Sequence, residues 1–295
     1  MIKRTSFLLI GLCISIISLA QSKDSLTFVN ANWEVTQIAK GITLKQFHFT
    51  GENQIFESSQ YVSIIEIDTK KAKGRFALAN DPGKITQTSK FAKDSGAVVA
   101  MNGTFYNMRK PYNSVSFFRK YGELCYEFTE KMGQRDNGAV AINEKGKISI
   151  AYAPVDEQGM VLQADWAKGV DAPHVMGSGP ALLKDGIQAP LLENSFNKNR
   201  HPRSAVATVK NKVYLITVDG RAKGEADGVS LWEFTSIMRY IGVKNALNLD
   251  GGGSTTLYVK DAPENGIVNH PSDNDKFDRQ GERYVVNSLL FIPRF

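Results

Sequence analysis

The chain has 295 residues, of which 42% are apolar and 22% charged, and its formal net charge is +6. This composition is that of a globular protein and excludes a disordered or coiled-coil chain. The positive excess is mild, and the sequence has no dense run of Lys and Arg with interleaved aromatic residues. It therefore argues against nucleic-acid binding, while it favours anionic ligands.

The first predicted element is an export signal. Lys3 and Arg4 precede an apolar run over residues 7–19, and Ala20 is followed by polar residues. This is the pattern of a secretory signal peptide cleaved after Ala20, and the run is short for a bilayer span. We expect no membrane span and an exported protein, periplasmic or secreted. In its mature form Cys125 is the only cysteine, which excludes an intramolecular disulfide and predicts a buried structural thiol.

Strand patterns dominate the rest of the chain. Apolar or alternating stretches rich in β-branched and aromatic residues predict strands or hairpins. They cover residues 42–49, 61–68, 75–79, 96–101, 114–120, 139–152 and 204–218.

Helix patterns are fewer. A short one covers residues 88–96 and a longer one residues 230–242, where Ser230 and Glu233 have capping-box spacing and Gly242 can end the helix. The prediction is an α+β fold, with a β-rich mixed sheet and few flanking helices. We place an N-terminal β-rich portion at residues 21–80 and one domain at residues 81–295.

Polar residues follow three of the apolar strands. Asn102 ends one of them, and Asp219 and Asp250 follow two others. Loops that a rigid sheet positions commonly carry binding and catalysis. Each Asp-Gly pair is also a common turn signal. Three polar ends together favour a site at one edge of a sheet.

Three glycines follow Asp250. Consecutive amides in a glycine-rich turn can form a nest of N–H donors for an anion, and neighbouring hydroxyls can add donors. The spacing does not match a P-loop, and the β-like residues after the glycines disfavour a dinucleotide site. The predicted anion contacts in this stretch are Gly251, Gly252, Gly253, Ser254 and Thr255.

Two arginines and a histidine complete the predicted site. Arg203 and Arg221 can supply the fork of donors that suits a phosphate or a carboxylate. His201 is either a general base, a phosphate donor or an exposed loop residue.

Seven motifs, in this order, resemble the phosphodiester glycosidase family. They are "MNGTFYN", "GSGPALL", "HPRSAVA", "VDGR", "GVSLWEF", "ALNLDGGGSTTLYV" and "GERYVVNSLL", within residues 95–295. The resemblance implies a hydrolase that cleaves the sugar anomeric C–O bond of a glycan or sugar-1-phosphodiester, such as a GlcNAc-1-phosphodiester. Free sugar and a phosphomonoester would be released. The departures from the family motifs leave the sugar open.

The implied reaction assigns roles to the polar residues. A carboxylate is needed at the developing oxocarbenium centre, and the candidates are Asp250, Asp219 and Glu282. Asn102, His201 and the two arginines are predicted substrate or phosphate contacts, whereas Glu233 is expected to be a capping residue. Asp219, Asn248 and Asp250 are alternatively candidates to hold a divalent cation, Ca²⁺ or Mg²⁺.

Two other functions share these features. A non-catalytic glycan-binding module would show the same polar strand ends. A metal-dependent phosphodiesterase would break the P–O bond instead of the C–O bond.

Overall fold

A computed structural model describes residues 22–128 and 133–294 of the chain. The predicted signal peptide therefore lies outside the described residues. In these ranges the helices are α1 (Lys23–Asn30), α2 (Thr88–Asp94), α3 (Ser195–Lys198) and α4 (Leu231–Ile241). The strands are β1 (Glu34–Ala39), β2 (Ile42–Phe49), β3 (Gln60–Asp68), β4 (Gly74–Asn80), β5 (Thr86–Gln87), β6 (Val99–Asn102), β7 (Phe118–Lys120), β8 (Glu123–Tyr126), β9 (Gly138–Ile142), β10 (Ile148–Tyr152), β11 (His174–Ser178), β12 (Ala181–Lys184), β13 (Ile187–Gln188), β14 (Arg203–Val209), β15 (Lys212–Val218), β16 (Asn245–Asn248), β17 (Leu257–Val259), β18 (Tyr284–Val285) and β19 (Asn287–Pro293).

The strands form four sheets. The largest has the order β1-β2-β3-β15-β14-β16-β12-β13, a second β10-β9-β11-β7-β8, a third β17-β6-β19-β4, and β18 pairs with β5. The α+β class is confirmed. The described strand pairs are antiparallel, so the prediction of a mixed sheet was wrong. Short turns such as that between β14 and β15 allow only antiparallel pairing, because parallel neighbours need a long crossover.

The main core lies between the largest sheet and the two smaller ones. Side chains from β3, β14 and β15 pack there against side chains from β6, β9, β11 and β19. On the outer face of the largest sheet, α1 and α4 cover a second apolar cluster, and α2 covers the outer face of the third sheet. Central strands are buried on both faces, which explains their long apolar runs.

The predicted long helix is confirmed as α4. Ser230 Oγ accepts the Glu233 N–H (3.2 Å), and the Glu233 carboxylate accepts the Ser230 N–H (2.8 Å), which forms the capping box. Gly242 ends the helix at φ 81°, in the left-handed region. Glu233 also accepts a bidentate contact from Arg200. Both oxygens of the Glu233 carboxylate are therefore engaged in structural contacts.

One local prediction failed. Cys125 was expected to be buried, but its side chain is exposed on β8, an edge strand. Apolar character in "LCY" does not show which strands will be covered, because an edge strand gains neighbours on one side only.

The strands of the N-terminal portion are integrated into the larger sheets. β3 pairs with β15 from Lys212↔Asp68 to Val218↔Val62, and β4 pairs with β19. The boundary near residue 80 remains a prediction. The described part of the chain has no helix that is both long and apolar enough to cross a membrane.

Candidate functional site

The three polar strand ends lie together. Asn102 Nδ2 at the end of β6 donates to the Asp250 carbonyl oxygen (2.7 Å), just after β16. Its Oδ1 accepts from Ser204 Oγ (2.8 Å) and from the Thr256 N–H (3.2 Å). Asn102 is fully buried. Its amide therefore holds the loop that carries Asp250, instead of facing a ligand as predicted.

The glycine stretch is a short 3₁₀ turn, Gly252–Ser254. The Gly251 N–H donates to Asp250 Oδ1 (2.9 Å) and the Gly252 N–H to the Pro202 carbonyl (2.8 Å). The N–H groups of Ser254 and Thr255 donate back into the turn. Four of the five amides predicted to form an anion nest are thus paired within the protein, two within the 3₁₀ turn and two with Asp250 and Pro202.

The glycines instead make room for two guanidinium groups. A Cβ on Gly252 would lie 2.8 Å from Arg221 Nη2, and one on Gly253 would overlap the guanidinium of Arg283. Arg221 is exposed, whereas Arg283 is half-buried and bonded to Asp273 (Nε to Oδ1, 2.8 Å). The guanidinium groups of Arg221 and Arg283 thus flank the turn, an arrangement that favours binding of a phosphate.

Asp250 has an unusual protonation equilibrium. Desolvation by the surrounding protein raises the pKa of its carboxyl to about 6, against opposing effects of Ser254, the Gly251 amide, Arg283 and Arg135. The Ser254 hydroxyl is close enough to favour the carboxylate, yet among the described residues it has no partner at full hydrogen-bond geometry. A carboxyl whose pKa is raised toward neutrality by desolvation, beside the charges of two arginines, is a candidate catalytic group.

Asp219 is buried beneath a histidine that the sequence analysis missed. Asn269 Nδ2 donates to Asp219 Oδ1 (2.9 Å), and the His270 backbone N–H donates to Oδ2 (2.8 Å). His270 Nδ1 lies 3.0 Å from the same Oδ2. Because a carboxylate accepts, Nδ1 carries the proton and Nε2 is left as an acceptor. Asp219 therefore orients His270.

Aromatic rings hold His270 in place. Phe277 stacks on the imidazole with centroids 4.0 Å apart, and the edge of Tyr61 meets it at 4.6 Å. Phe277 belongs to a loop over residues 271–283, which is closed by the contact of Arg283 with Asp273. His270 directly precedes this loop, after Asn269, which is bonded to the Thr255 carbonyl, and Arg283 at the end of the loop lies beside Gly253.

Arg203 does not lie where the sequence predicted a phosphate clamp. Its side chain is 1% exposed, and it donates to three backbone carbonyls, those of Val229, Phe196 and Asn199, at 2.6–3.1 Å. Burial, with a contribution from Arg221, lowers its pKa to about 10. Arg203 therefore stabilises the loops that carry Phe196, Asn199 and Val229 around the site.

His201 lies at the edge of the site. Its backbone pairs with Val229, and burial, followed by the charges of Arg203 and Arg221, lowers the pKa of its ring. His201 is therefore a neutral group near Arg221, which suits a hydrogen-bonding contact better than a phosphate-binding cation.

Glu282 has a structural role in place of the predicted catalytic one. Its Oε1 accepts the Ser89 N–H (2.7 Å) and its Oε2 accepts the Ser89 hydroxyl (2.6 Å), at the start of α2. Burial raises its pKa, against those two hydrogen bonds. A carboxylate at the first turn of a helix pairs with free N–H groups and with the helix dipole.

The predicted cation ligands do not form a cation site. Both oxygens of Asp219 accept protein donors. Asn248 Nδ2 donates to the Gly179 and Leu249 carbonyls (2.8 Å each), and its buried Oδ1 has no hydrogen-bond partner among the described residues, so Asn248 offers one amide oxygen. The described ranges contain no group of three His, Cys, Asp or Glu side chains arranged for a metal. These residues do not fit Ca²⁺ or Mg²⁺, which take at least six oxygen ligands, and we derive no step through a cation.

Gly252 supplies a test of the turn. Gly252→Ala should lower the free energy of unfolding by about 1–2 kcal/mol, because φ is +61° there and the new methyl group meets Arg221. Chemical denaturation measures the change, with Gly169→Ala, where a Cβ has open space, as the control. Equal stabilities of the two variants would contradict this account of the turn.

Comparison with known proteins places the chain in a family. The phosphodiester glycosidase family model matches residues 95–292. N-acetylglucosamine-1-phosphodiester alpha-N-acetylglucosaminidase from Bos taurus is 28% identical over 199 residues, which cover 62% of this chain and 34% of that protein. The chain thus spans about a third of the length of this curated relative.

Solved structures share the fold. The zebrafish N-acetylglucosamine-1-phosphodiester alpha-N-acetylglucosaminidase catalytic domain matches with a TM-score of 0.63 and 19% identity, over 89% of this chain and 84% of that one. A hypothetical protein from Synechocystis matches with a TM-score of 0.63 and 17% identity, over 89% and 64%. The resemblance seen in the motifs is confirmed. This chain belongs to the phosphodiester glycosidase family.

Proposed function

We propose that this protein is an exported hydrolase that cleaves the anomeric C–O bond of a sugar-1-phosphodiester and releases free sugar and a phosphomonoester. A GlcNAc-1-phosphodiester is the first substrate to test, since the bovine relative is named for that activity. One observation carries the proposal. The guanidinium groups of Arg221 and Arg283 lie against the glycine turn that follows Asp250, a carboxyl whose pKa is raised by desolvation to about 6.

The charges match the two halves of the reaction. As the C–O bond breaks, its electron pair goes to the phosphate oxygen, and the guanidinium groups of Arg221 and Arg283 neutralise the growing negative charge. The anomeric carbon becomes positive, and the Asp250 carboxylate stabilises it. A phosphate is a good leaving group, so this scheme needs no strong general acid.

The Asp219–His270 pair supplies the other requirement, an activated water. Water oxygen forms the new bond to the anomeric carbon, and its proton passes to His270 Nε2. Asp219 keeps the proton on Nδ1 and stabilises the imidazolium that results. Two hydrogen bonds support this assignment: Asn269 Nδ2 donates to Asp219 Oδ1 (2.9 Å) and to the Thr255 carbonyl (3.1 Å), and so links the pair to the glycine turn.

Hydrolysis in ¹⁸O-labelled water tests the proposal directly. Label in the released sugar is the expected result. Label in the phosphate would mean P–O cleavage by a phosphodiesterase, and binding without product would mean a glycan-binding module. Either of these would overturn the proposal.

The two arginines make a distinct prediction. Arg221→Ala and Arg283→Ala should each lower kcat/KM for a sugar-1-phosphodiester about tenfold or more, since a charge-assisted hydrogen bond contributes about 1.5–3 kcal/mol. An uncharged aryl glycoside, if turned over, should lose much less. Arg239→Ala, on the exposed face of α4, is the matched control. Equal losses on both substrates would remove the phosphate from this part of the site.

A further inference from the structure

The end of the molecule opposite the candidate site is strongly basic. Separate turns of the chain bring nine exposed cationic side chains to this end. We call this surface the basic pole, and it consists of Lys40, Lys70, Lys71, Lys73, Arg75, Lys145, Lys147, Lys210 and Arg294.

Backbone contacts join these turns into one surface. The Thr69 N–H donates to the Asn211 carbonyl (2.8 Å), which links the β3–β4 turn to the β14–β15 turn. The Arg294 N–H donates to the Lys73 carbonyl (3.1 Å), and its guanidinium donates to the Lys145 carbonyl (3.3 Å). The basic residues are therefore neighbours, although they are far apart in the sequence.

Two further contacts complete the surface. The Asp68 N–H donates to the Gly41 carbonyl (2.8 Å), which adds the β1–β2 turn, and the Phe76 N–H donates to the Gly146 carbonyl (2.9 Å), which adds the β9–β10 turn. Among the residues of these turns that the structure describes, the carboxylates are Asp68, which pairs with Lys71 at 3.6 Å, and Glu144. The basic pole thus carries a local positive excess at least as large as the +6 of the whole chain.

A recess of about 430 Å³ lies within the basic pole. Glu144, Lys145, Lys147 and Arg294 line its polar side, and Phe76 and Phe291 lie among its apolar lining. Its size is in the range that holds a small ligand. A recess with cations at its rim and aromatic rings at its base suits an anionic headgroup with apolar atoms attached.

The basic pole and the candidate site are at opposite ends of the same strands. In β15, Lys212 is at the basic end, and Val218 directly precedes Asp219. Seven residues of strand separate the ends by about 20 Å. In β19, Pro293 is at the basic end, whereas Asn287 at the other end accepts the Thr104 N–H near the site. The basic pole therefore does not bind the phosphate that is hydrolysed.

Apolar side chains are exposed beside the basic pole. Tyr121 and Leu124, at the β7–β8 turn, are 69% and 46% exposed. The Tyr121 ring meets His174 at 4.8 Å, and burial, followed by the charges of Lys120 and Arg75, lowers the pKa of His174. The Tyr121 N–H lies 3.3 Å from His174 Nδ1, and His174 pairs with Ile142, which directly precedes the β9–β10 turn of the basic pole. Aromatic residues beside basic ones are typical of surfaces that contact lipid headgroups.

We propose that the basic pole binds the anionic surface of a lipid membrane, reversibly, and so holds the candidate site facing away from the bilayer toward soluble substrate. The breadth of the charge, over turns from both larger sheets, fits a flat lipid surface. The exposed Tyr121 and Leu124 supply the apolar contact that a soluble polyanion would not require. The proposal is independent of the reaction at the site.

Vesicle sedimentation of the mature chain, residues 21–295, tests the proposal without the apolar run of the predicted signal peptide. We expect binding to vesicles of 30% phosphatidylglycerol in phosphatidylcholine, none to phosphatidylcholine alone, and release by 0.5 M NaCl. Each basic residue near such a surface contributes about fivefold to partitioning. Lys73→Gln/Lys145→Gln should therefore bind about 25-fold more weakly. The control is Lys23→Gln/Lys84→Gln, which removes the same charge from exposed positions elsewhere and should bind like wild type.

Melting temperatures show whether each variant is folded. Equal binding by the two double variants would remove the basic pole from the interaction. Binding to pure phosphatidylcholine, or no binding to either vesicle, would overturn the proposal. Retention by a polyphosphate resin without vesicle binding would replace the membrane with a soluble polyanion and overturn it as well.

Discussion

Asp250→Asn should lower kcat for a GlcNAc-1-phosphodiester about a thousandfold, while the protein remains folded. The substitution removes the negative charge that we place against the anomeric carbon, a loss of about 4 kcal/mol of transition-state stabilisation. Asn keeps nearly the same volume and can still accept the Gly251 N–H.

In the wild type, kcat/KM should rise as the pH passes about 6, because the ionised form of Asp250 is required.

The same substitution should raise stability at neutral pH. Burial raises the pKa of Asp250 from 3.8 to about 6, so the folded state disfavours the charged form. The wild type therefore loses stability as the pH rises from about 4 to 6, whereas the Asn variant does not. Melting temperatures at pH 3.5 and 7.5 measure this, with Asp261→Asn at an exposed position as the control. Near-wild-type turnover by Asp250→Asn would overthrow the assignment.

His270→Gln should also lower kcat by two to three orders of magnitude, with little change in KM. We place His270 as the proton acceptor for water, and general base catalysis contributes about 10²–10⁴-fold. Asp219→Asn should cause a similar loss, because its amide places a donor against the His270 N–H and so disturbs the orientation of the ring. Since the pair acts as a unit, the double variant should be no slower than the slower single variant.

Stability separates this role from a structural one. Asp219→Asn should lower the melting temperature, as it leaves buried donors of Asn269 and His270 poorly paired. His270→Gln should leave it nearly unchanged, because Asp219 keeps its other two partners. His174→Gln, at a half-buried position remote from the site, should retain full turnover. Additive losses in the double variant, or an active His270→Gln, would exclude the pair from catalysis.

Local sequence patterns predicted several of the regular elements but missed others, including the buried strands β11 and β19. β2 has the predicted bounds, Ile42–Phe49, and α4 lies within residues 230–242 with its capping box and glycine stop. These elements depend on nearby residues, through strand alternation, capping and the left-handed conformation of glycine. The edge strand β1 was missed because its residues are mostly exposed and so lack an apolar pattern.

The site was predicted only where chemistry coincides with the end of a strand. Asn102, Asp219 and Asp250 were identified in this way, and they do lie together. The roles of Asn102, Arg203 and Glu282 were predicted wrongly. Their hydrogen-bond partners include backbone groups from distant parts of the chain, which the sequence does not reveal. His270 lies outside the seven motifs and follows no predicted strand, so it had no signal of its own. Arg283 lies within the motif "GERYVVNSLL", but the neighbouring Glu282 was chosen in its place.

The sequence by itself determined the class of fold, the main strands, the family and the position of the glycine turn, because each depends on neighbouring residues or on ordered motifs. Only the tertiary structure decided which polar groups remain free for a ligand. Contacts between distant segments occupy the loop amides and Arg203 in hydrogen bonds to protein groups. They also pair Asp219 with His270 and remove water from around Asp250. The same long-range pairing gathered scattered lysines and arginines into the basic pole, since charge density depends on distances in space and not on spacing along the chain.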